Sequence, residues 1–238
     1  MKWVPTLGRY AREAMANDAL DIDFLGLKTV LYSAVLSDVM DAAGLPVHAM
    51  RPFVRPLHED DVVFGSARTG LFMPRYADNP DEPPYDIEIA LTDDLQPGDV
   101  VVFACNGPTE RIVPWGELLT TAAMQRGAVG CVTDGLARDV KAIRRMRFPV
   151  FAGGIGPLDS KGRSKMVDRD LAIECAGVMV RRGDLIFADM DGVVVIPRTA
   201  ARHVIEQALA KIHGENITRD EIRRGVPLGQ VYAKYGVL

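Results

Sequence analysis

The chain has 238 residues, 48% of them hydrophobic and 25% charged, which are average values for globular proteins and exclude a disordered chain, a collagen-like chain or a small disulfide scaffold. With 28 Lys and Arg against 32 Asp and Glu the net charge is −4, which argues against nucleic acid as the main partner, since phosphate-binding domains carry a basic stripe. Only seven of the 28 basic residues are lysines; arginine supplies planar forks for carboxylates or phosphates, and high-GC coding bias produces the same ratio. No run approaches the ~18 apolar residues that span a bilayer. The opening MKWVPTLGRYAREAMANDALD lacks the apolar core and cleavage site of a secretory signal. Cys105, Cys131 and Cys175 have no CxxC spacing and sit in or beside apolar runs, as small buried hydrophobes do. A reduced, cytoplasmic protein without membrane or nucleic-acid partners is expected.

The first 45 residues read as helical: Leu31, Ala34, Val35, Val39 and Ala42 recur at helical spacing, and Gly44 then Pro46 stop the helix. A strand is expected over 62–69. The stretch MPRYADNPDEPPYD (73–86), with four prolines and four acids, reads as a long surface loop. A short helix over 87–95 leads through the turn 96–99 into a strand over 100–104. A helix over 115–126, a buried strand over 128–133, a turn and helix over 134–146 and a strand over 149–152 follow. That alternation predicts βαβ units with a parallel layer. The runs 171–180, 184–188 and 192–196 read as a β-meander, and helices finish the chain from Ala200. One mixed α/β domain is expected, with N-terminal helices over 1–45, a core over 46–198 and C-terminal helices over 199–238.

The densest polar constellation lies in WGELLTTAAMQRGAVGCVTDGLARDV (115–140). Glu117 is expected to open a helix, Asp134 to close a buried strand, and Arg138–Asp139 to open the next helix. In α/β sheets, ligands collect outside the carboxyl ends of strands, where helix N-termini also point. Free N–H groups there can hold a carboxylate, and the acids can hold a hard divalent cation. Each residue alone also has an ordinary structural role: a turn at Asp134–Gly135, a first-turn acid at Glu117, a cap and a solvated charge at Arg138–Asp139. Elsewhere, GGIGP (153–157) lacks the Walker lysine and reads as a turn. His48, His58, His203 and His213 are scattered, so zinc is not expected. No GxSxG elbow is present. Lys141, in KAIRR, belongs to a charged, solvated helix face and not to a Schiff-base pocket.

Taken in order, LSDVMDAAG (36–44), RPL (55–57), VVFGSARTG (62–70), QPGDVVV (96–102), the 115–140 segment, FPVFAGGIGP (148–157), GDLIFADMDGVVVIP (183–197) and KYGVL (234–238) resemble the RraA-like family over roughly residues 30–238. That family includes divalent-metal-dependent 4-hydroxy-4-methyl-2-oxoglutarate / 4-carboxy-4-hydroxy-2-oxoadipate aldolases and the regulator of ribonuclease E activity A. The resemblance implies a swivelling β/β/α core of mixed sheet layers flanked by helices, and a homotrimer or homohexamer with its site at a subunit boundary. It implies that Asp139 holds Mg²⁺ or Mn²⁺ largely through water, that Arg138 pairs with a bound 2-oxo acid, and that Glu117 positions the proton-transferring water. The backbone N–H groups of Leu118 and Leu119 would hold the substrate carboxylate, and Asp134 and Glu215, the latter from a neighbouring subunit, are candidates for the metal's outer coordination.

Two departures stand out: Ala142 occupies a position where the aldolases usually carry an acid, and the 73–86 loop is longer than in short members. The activity implied is a class II pyruvate aldolase acting on a 4-hydroxy-2-oxo acid, a carbon–carbon lyase with companion oxaloacetate decarboxylation. The alternative is a non-catalytic regulator that docks on another protein, with the acidic loop 78–86 as a candidate contact. A methyltransferase finds no support, because no glycine-rich adenosylmethionine-type loop follows the first strand.

Overall fold

The computed structural model describes residues 22–77 and 81–236. The helical reading of 1–21, part of the acidic loop and the last two residues therefore lie outside the described residues.

The helices are α1 (Phe24–Leu27), α2 (Ser33–Ala42), α3 (Asp86–Asp93), α4 (Glu117–Gln125), α5 (Val140–Met146), α6 (Ala201–Arg223) and α7 (Leu228–Tyr235). The strands are β1 (Arg55–Pro56), β2 (Val63–Pro74), β3 (Asp99–Ala104), β4 (Gly130–Ala137), β5 (Val150–Ile155), β6 (Ser164–Arg169), β7 (Ile173–Cys175), β8 (Val178–Val180), β9 (Leu185–Asp189) and β10 (Gly192–Ile196). The main sheet runs β1-β5-β4-β3-β2-β9-β10, with β6 also paired to β2. Strands β2 to β5 are mutually parallel, and β1, β6, β9 and β10 pair antiparallel. The mixed α/β architecture is as expected.

Every residue of β3 is buried, as a strand inside a parallel layer must be when both faces are covered. Its side chains alternate between two cores. Val100 and Val102 pack with Val132, Phe151, Ile186 and the β7–β8 hairpin. Val101 and Phe103 pack with Leu91, Trp115, Ile143 and Phe148, beneath α3, α4 and α5. A third core joins α2 and α6 to Phe64, Phe187 and Ile196.

Three expectations are corrected. First, β4 does not end at Thr133; it continues to Ala137, so Asp134 lies within a strand. The polar Thr-Asp-Gly interrupts the apolar run, yet Asp134 is only 2% exposed because its carboxylate accepts from the N–H groups of Cys105 (2.6 Å), Gly107 (2.9 Å) and Ala176 (3.3 Å). A buried polar group so satisfied need not end a strand. Second, Gly153–Ile155 of GGIGP extend β5, leaving the turn to the residues after them. Third, the expected meander divides: β7 and β8 form their own two-stranded sheet, while β9 and β10 join the main sheet beside β2. The three cysteines are free and buried, and burial pushes each thiol well above its usual range. Among the described residues, no helix is long and apolar enough to cross a membrane.

Candidate active site

The site begins where β4 runs out. Ala137 bridges Trp115, and the Arg138 N–H donates to the Trp115 carbonyl at 2.9 Å. The chain then turns sharply at Asp139, whose φ of 57° lies in the left-handed region that Asp tolerates better than most residues. That turn starts α5 and sends the Asp139 carboxylate back towards α4, where Oδ2 accepts from the Glu117 N–H at 3.2 Å. Gly116, the N-cap of α4, makes the approach possible. A Cβ there would lie 2.9 Å from Asp139 Oδ2 and 3.1 Å from Arg138 Cγ. The next two α4 N–H groups, of Leu118 and Leu119, belong to the first helical turn and so lack intrahelical acceptors.

Arg138 is flanked by acids. Its Nε lies 3.6 Å from Asp139 Oδ2 and its Nη1 lies 3.6 Å from Asp159 Oδ1; Nη1 also donates to the Leu158 carbonyl at 3.4 Å. Asp159 in turn accepts from the Tyr85 hydroxyl at 2.9 and 3.0 Å. Burial opposes ionisation of Asp159, but the Tyr85 hydroxyl, backbone N–H groups and the Arg138 charge outweigh it and hold the carboxyl below its usual range. The Tyr85 phenol is pushed up to about 12, by burial first and by its bond to Asp159 second.

These groups line a cavity of about 480 Å³. It lies beyond the carboxyl ends of β3, β4 and β5, the side of a parallel layer on which ligands bind. Of the residues expected in the site, Glu117, Leu118, Leu119, Arg138 and Asp139 all line it. Asp134 does not, since its carboxylate serves the three backbone N–H groups named above. Glu215 does not line it within one chain either. It lies on α6, accepts from the Tyr32 hydroxyl, and stands 3.7 Å from both Lys211 and Arg219.

Sequence reading missed Tyr85, Glu88 and Asp159, all in the cavity lining. For Glu88 a signal existed. Glu88, Leu91, Thr92 and Leu95 fall at helical spacing, so this acid shares the apolar face of α3, and all four are buried. Burial, reinforced by the Asp159 charge and opposed by Arg138, pushes its carboxyl up to about 8. Tyr85 and Asp159 lie outside regular elements and carry no periodic signal.

A family model described as RraA-like, Aldolase/RraA, matches residues 33–195. The chain belongs to the RraA-like family. The match contains β2 to β9 and every lining residue named above. A protein of Halalkalibacterium halodurans, provisionally named as a 4-hydroxy-4-methyl-2-oxoglutarate aldolase, is 30% identical over 200 residues, covering 80% of this chain and 84% of its own. Protein DlpA of Legionella pneumophila is 30% identical over 203 residues, 85% of this chain; the match spans only 32% of DlpA. The crystal structure of Streptomyces coelicolor RraAS2, described as an unusual member of the RNase ES inhibitor RraA protein family, superposes with a TM-score of 0.74 at 25% identity, covering 85% of this chain and 98% of that one.

Several relatives are provisionally named as 4-hydroxy-4-methyl-2-oxoglutarate aldolases, and a divalent cation of the kind the sequence resemblance implies would have to be held by the cavity's own donors. Among the described residues, no three His, Cys, Asp or Glu side chains cluster in a way that could cage a metal. The cavity instead offers Asp139, half-exposed and angled over the α4 N-terminus, with Glu117 beside it. One or two hard carboxylate oxygens with room for water fit Mg²⁺, which dehydrates reluctantly and keeps several waters. They do not fit zinc, which takes a set of three or four nitrogen and sulfur donors.

Proposed function

We propose that this chain is a divalent-metal-dependent aldolase that cleaves a 4-hydroxy-2-oxo acid to pyruvate, with oxaloacetate decarboxylation as a companion activity. One observation carries the reading: the Arg138 fork and the Asp139 carboxylate meet the open N–H groups of α4 at the rim of a single cavity. A 2-oxo acid offers the matching groups, a carboxylate and an adjacent keto oxygen. The N–H groups of Leu118 and Leu119 bind the carboxylate. Arg138 donates to the keto oxygen, where negative charge develops as the carbon–carbon bond breaks. Glu117 orders the water that takes the proton of the 4-hydroxyl. Asp159, itself held by Tyr85, fixes the far side of the Arg138 fork. Asp139 would hold Mg²⁺ or Mn²⁺, which when bound supplies Lewis acidity to the keto oxygen. Decarboxylation of oxaloacetate leaves the same enolate and needs no further residue.

Assembly as a homotrimer or homohexamer with the site at a subunit boundary belongs to the same proposal. Leu118, 80% exposed, and Ile89, 51% exposed, stand at the cavity and would be covered there. The likeness to RraAS2 favours a second reading, a protein-binding regulator whose cavity does no chemistry. Pyruvate release from oxaloacetate separates the two: the aldolase reading expects turnover with Mg²⁺ that exhaustive EDTA treatment abolishes. Inertness on all 2-oxo acids would favour the regulator, and full turnover after EDTA would remove the metal.

A further inference from the structure

The reading above gives Glu88 no task. Its side chain is 6% exposed in the middle of α3, lines the same cavity as Arg138 and Asp139, and has no hydrogen bond or ion pair among the described residues. An ionised carboxylate so placed is costly, and a neutral acid is not. Burial above all keeps it neutral, and the surrounding charges do not reverse that. Asp159 faces it, as does Arg138, which is already flanked by Asp139 and Asp159. Asp86 and Tyr85 stand at the start of α3, Asp93 at its end, and Glu117 on α4 across the cavity. Lys165 on β6, which packs against α3, is engaged by Glu82 and by Asp86 at 3.2 Å. Arg169 on β6 and Arg126 at the end of α4 are turned to Asp94 and Asp93, at 3.5 and 3.3 Å, so among the described residues no cation pairs with the Glu88 carboxylate.

We propose that Glu88 is a further catalytic residue, the acid that delivers a proton to C3 of the pyruvate enolate; this rests on the aldolase reading. The 4-hydroxyl proton leaves to the water ordered by Glu117, the C3–C4 bond breaks, and its electron pair remains on the pyruvate fragment as the enolate. The Glu88 O–H bond then breaks as the C3–H bond forms, giving pyruvate and a Glu88 carboxylate. Beside Asp159 that carboxylate recaptures a proton from cavity water, and the site is reset with all atoms balanced. With oxaloacetate, carbon dioxide leaves in place of the second fragment and the same proton transfer follows. A carboxyl that titrates at about 8 is matched to this task, since it carries a proton at neutral pH and can still give it up.

The reverse transfer gives the test. A Glu88 carboxylate removes a methyl proton from bound pyruvate, so the protein with Mg²⁺ exchanges pyruvate methyl hydrogens for deuterium in D₂O, visible by proton NMR. Wild type is expected to exchange, at a rate that rises with pH and levels off above about 8. Glu88→Gln should slow exchange by about 10²–10⁴-fold and lose that pH dependence, while its Mg²⁺ titration stays unchanged. Glu88→Asp, which keeps an acid on a shorter stem, should retain part of the rate. If Glu88→Gln exchanges at the wild-type rate with the same pH profile, Glu88 is not the acid and the aldolase reading stands. If wild type neither exchanges pyruvate nor releases it from oxaloacetate, the aldolase reading falls and takes this role with it.

Discussion

In the proposed mechanism Arg138 concentrates the chemistry of the site in one planar fork, which the structure flanks with Asp139 on one side and Asp159 on the other. Arg138→Lys keeps the charge but loses the oriented donation, so turnover should fall about 10²–10³-fold, the cost of about 2.7–4 kcal/mol for one lost donor to a developing oxyanion. Mg²⁺ binding should change little; rates near wild type would take Arg138 out of the site. Gly116→Ala tests the same corner from the other side. Its backbone is extended, which alanine adopts freely, but the new methyl would press on Asp139 and Arg138, and activity should drop at least tenfold with little loss of thermal stability. Glu88 should leave its mark on stability as well as rate. Its folded pKa is raised, so between about 4.5 and about 8 the folded chain holds a proton that the unfolded chain has released. Stability attributable to Glu88 therefore falls as pH rises through that window and is flat above it, a loss on the order of 3–5 kcal/mol. Glu88→Gln should accordingly melt higher than wild type at pH 8 and close to it at pH 4; a lower melting point at pH 8 would contradict the buried neutral acid. Arg138, Asp139 and Glu117 were legible in the sequence because they sit at element ends, where polar residues announce themselves. Glu88 was obscured by Asp86 and Asp93, which make its helix look like a solvated charged face.

Element α3 owes its position to a buried arginine. Arg68 on β2 is 3% exposed and reaches Asp94 at the C-cap of α3 (2.9 Å), Asp170 between β6 and β7 (2.9 Å) and Asp99 at the start of β3 (3.4 Å). It also donates to the Asp94 carbonyl at 2.9 Å. One guanidinium thus ties the end of the helix that carries Glu88, and that Tyr85 caps, to two strands and a loop. Arg68→Met would leave buried Asp99 without its ion-pair partner and strip Asp170 of one of its two, Arg182 remaining at 3.1 Å, at a cost of about 3 kcal/mol. The denaturant midpoint should fall accordingly, and an unchanged midpoint would show that the network does not hold the helix. VVFGSARTG reads as a strand but gives no hint that its arginine points inward, because the three acids that satisfy it are 26, 31 and 102 residues away. The same limit explains β4 and β6. Apolar runs announced the buried strands, whereas Thr133-Asp134-Gly135 reads as a turn until the N–H groups of Cys105, Gly107 and Ala176 are seen to close around Asp134. SKMVDR of β6 is short, half-exposed and polar, and pairs with the far end of β2.

At the scale of the whole molecule, the parallel order β5-β4-β3-β2 points three strand ends at one place, and the chain leaving each end supplies part of the cavity: Val113–Pro114 after β3, Arg138–Asp139 after β4, Asp159–Ser160 after β5. The alternation of helix and strand makes this layer legible in the sequence, and the antiparallel flank less so. Whether β7 to β10 form one meander or two separate hairpins depends on which edges are free to pair, and no local pattern encodes that. In the proposed mechanism the arrangement matters because it places one carboxylate, Asp139, where a hard cation and a 2-oxo acid would meet. The most direct test is pyruvate release from a 4-hydroxy-2-oxo acid by wild type and by Asp139→Ala, each titrated with Mg²⁺. Wild type should show turnover that rises with Mg²⁺ to saturation, and Asp139→Ala, folded because Asp139 is a half-exposed residue at a helix start, should lose it by orders of magnitude at every concentration. Saturating, wild-type-like turnover in Asp139→Ala would place the metal elsewhere and undo the proposed mechanism.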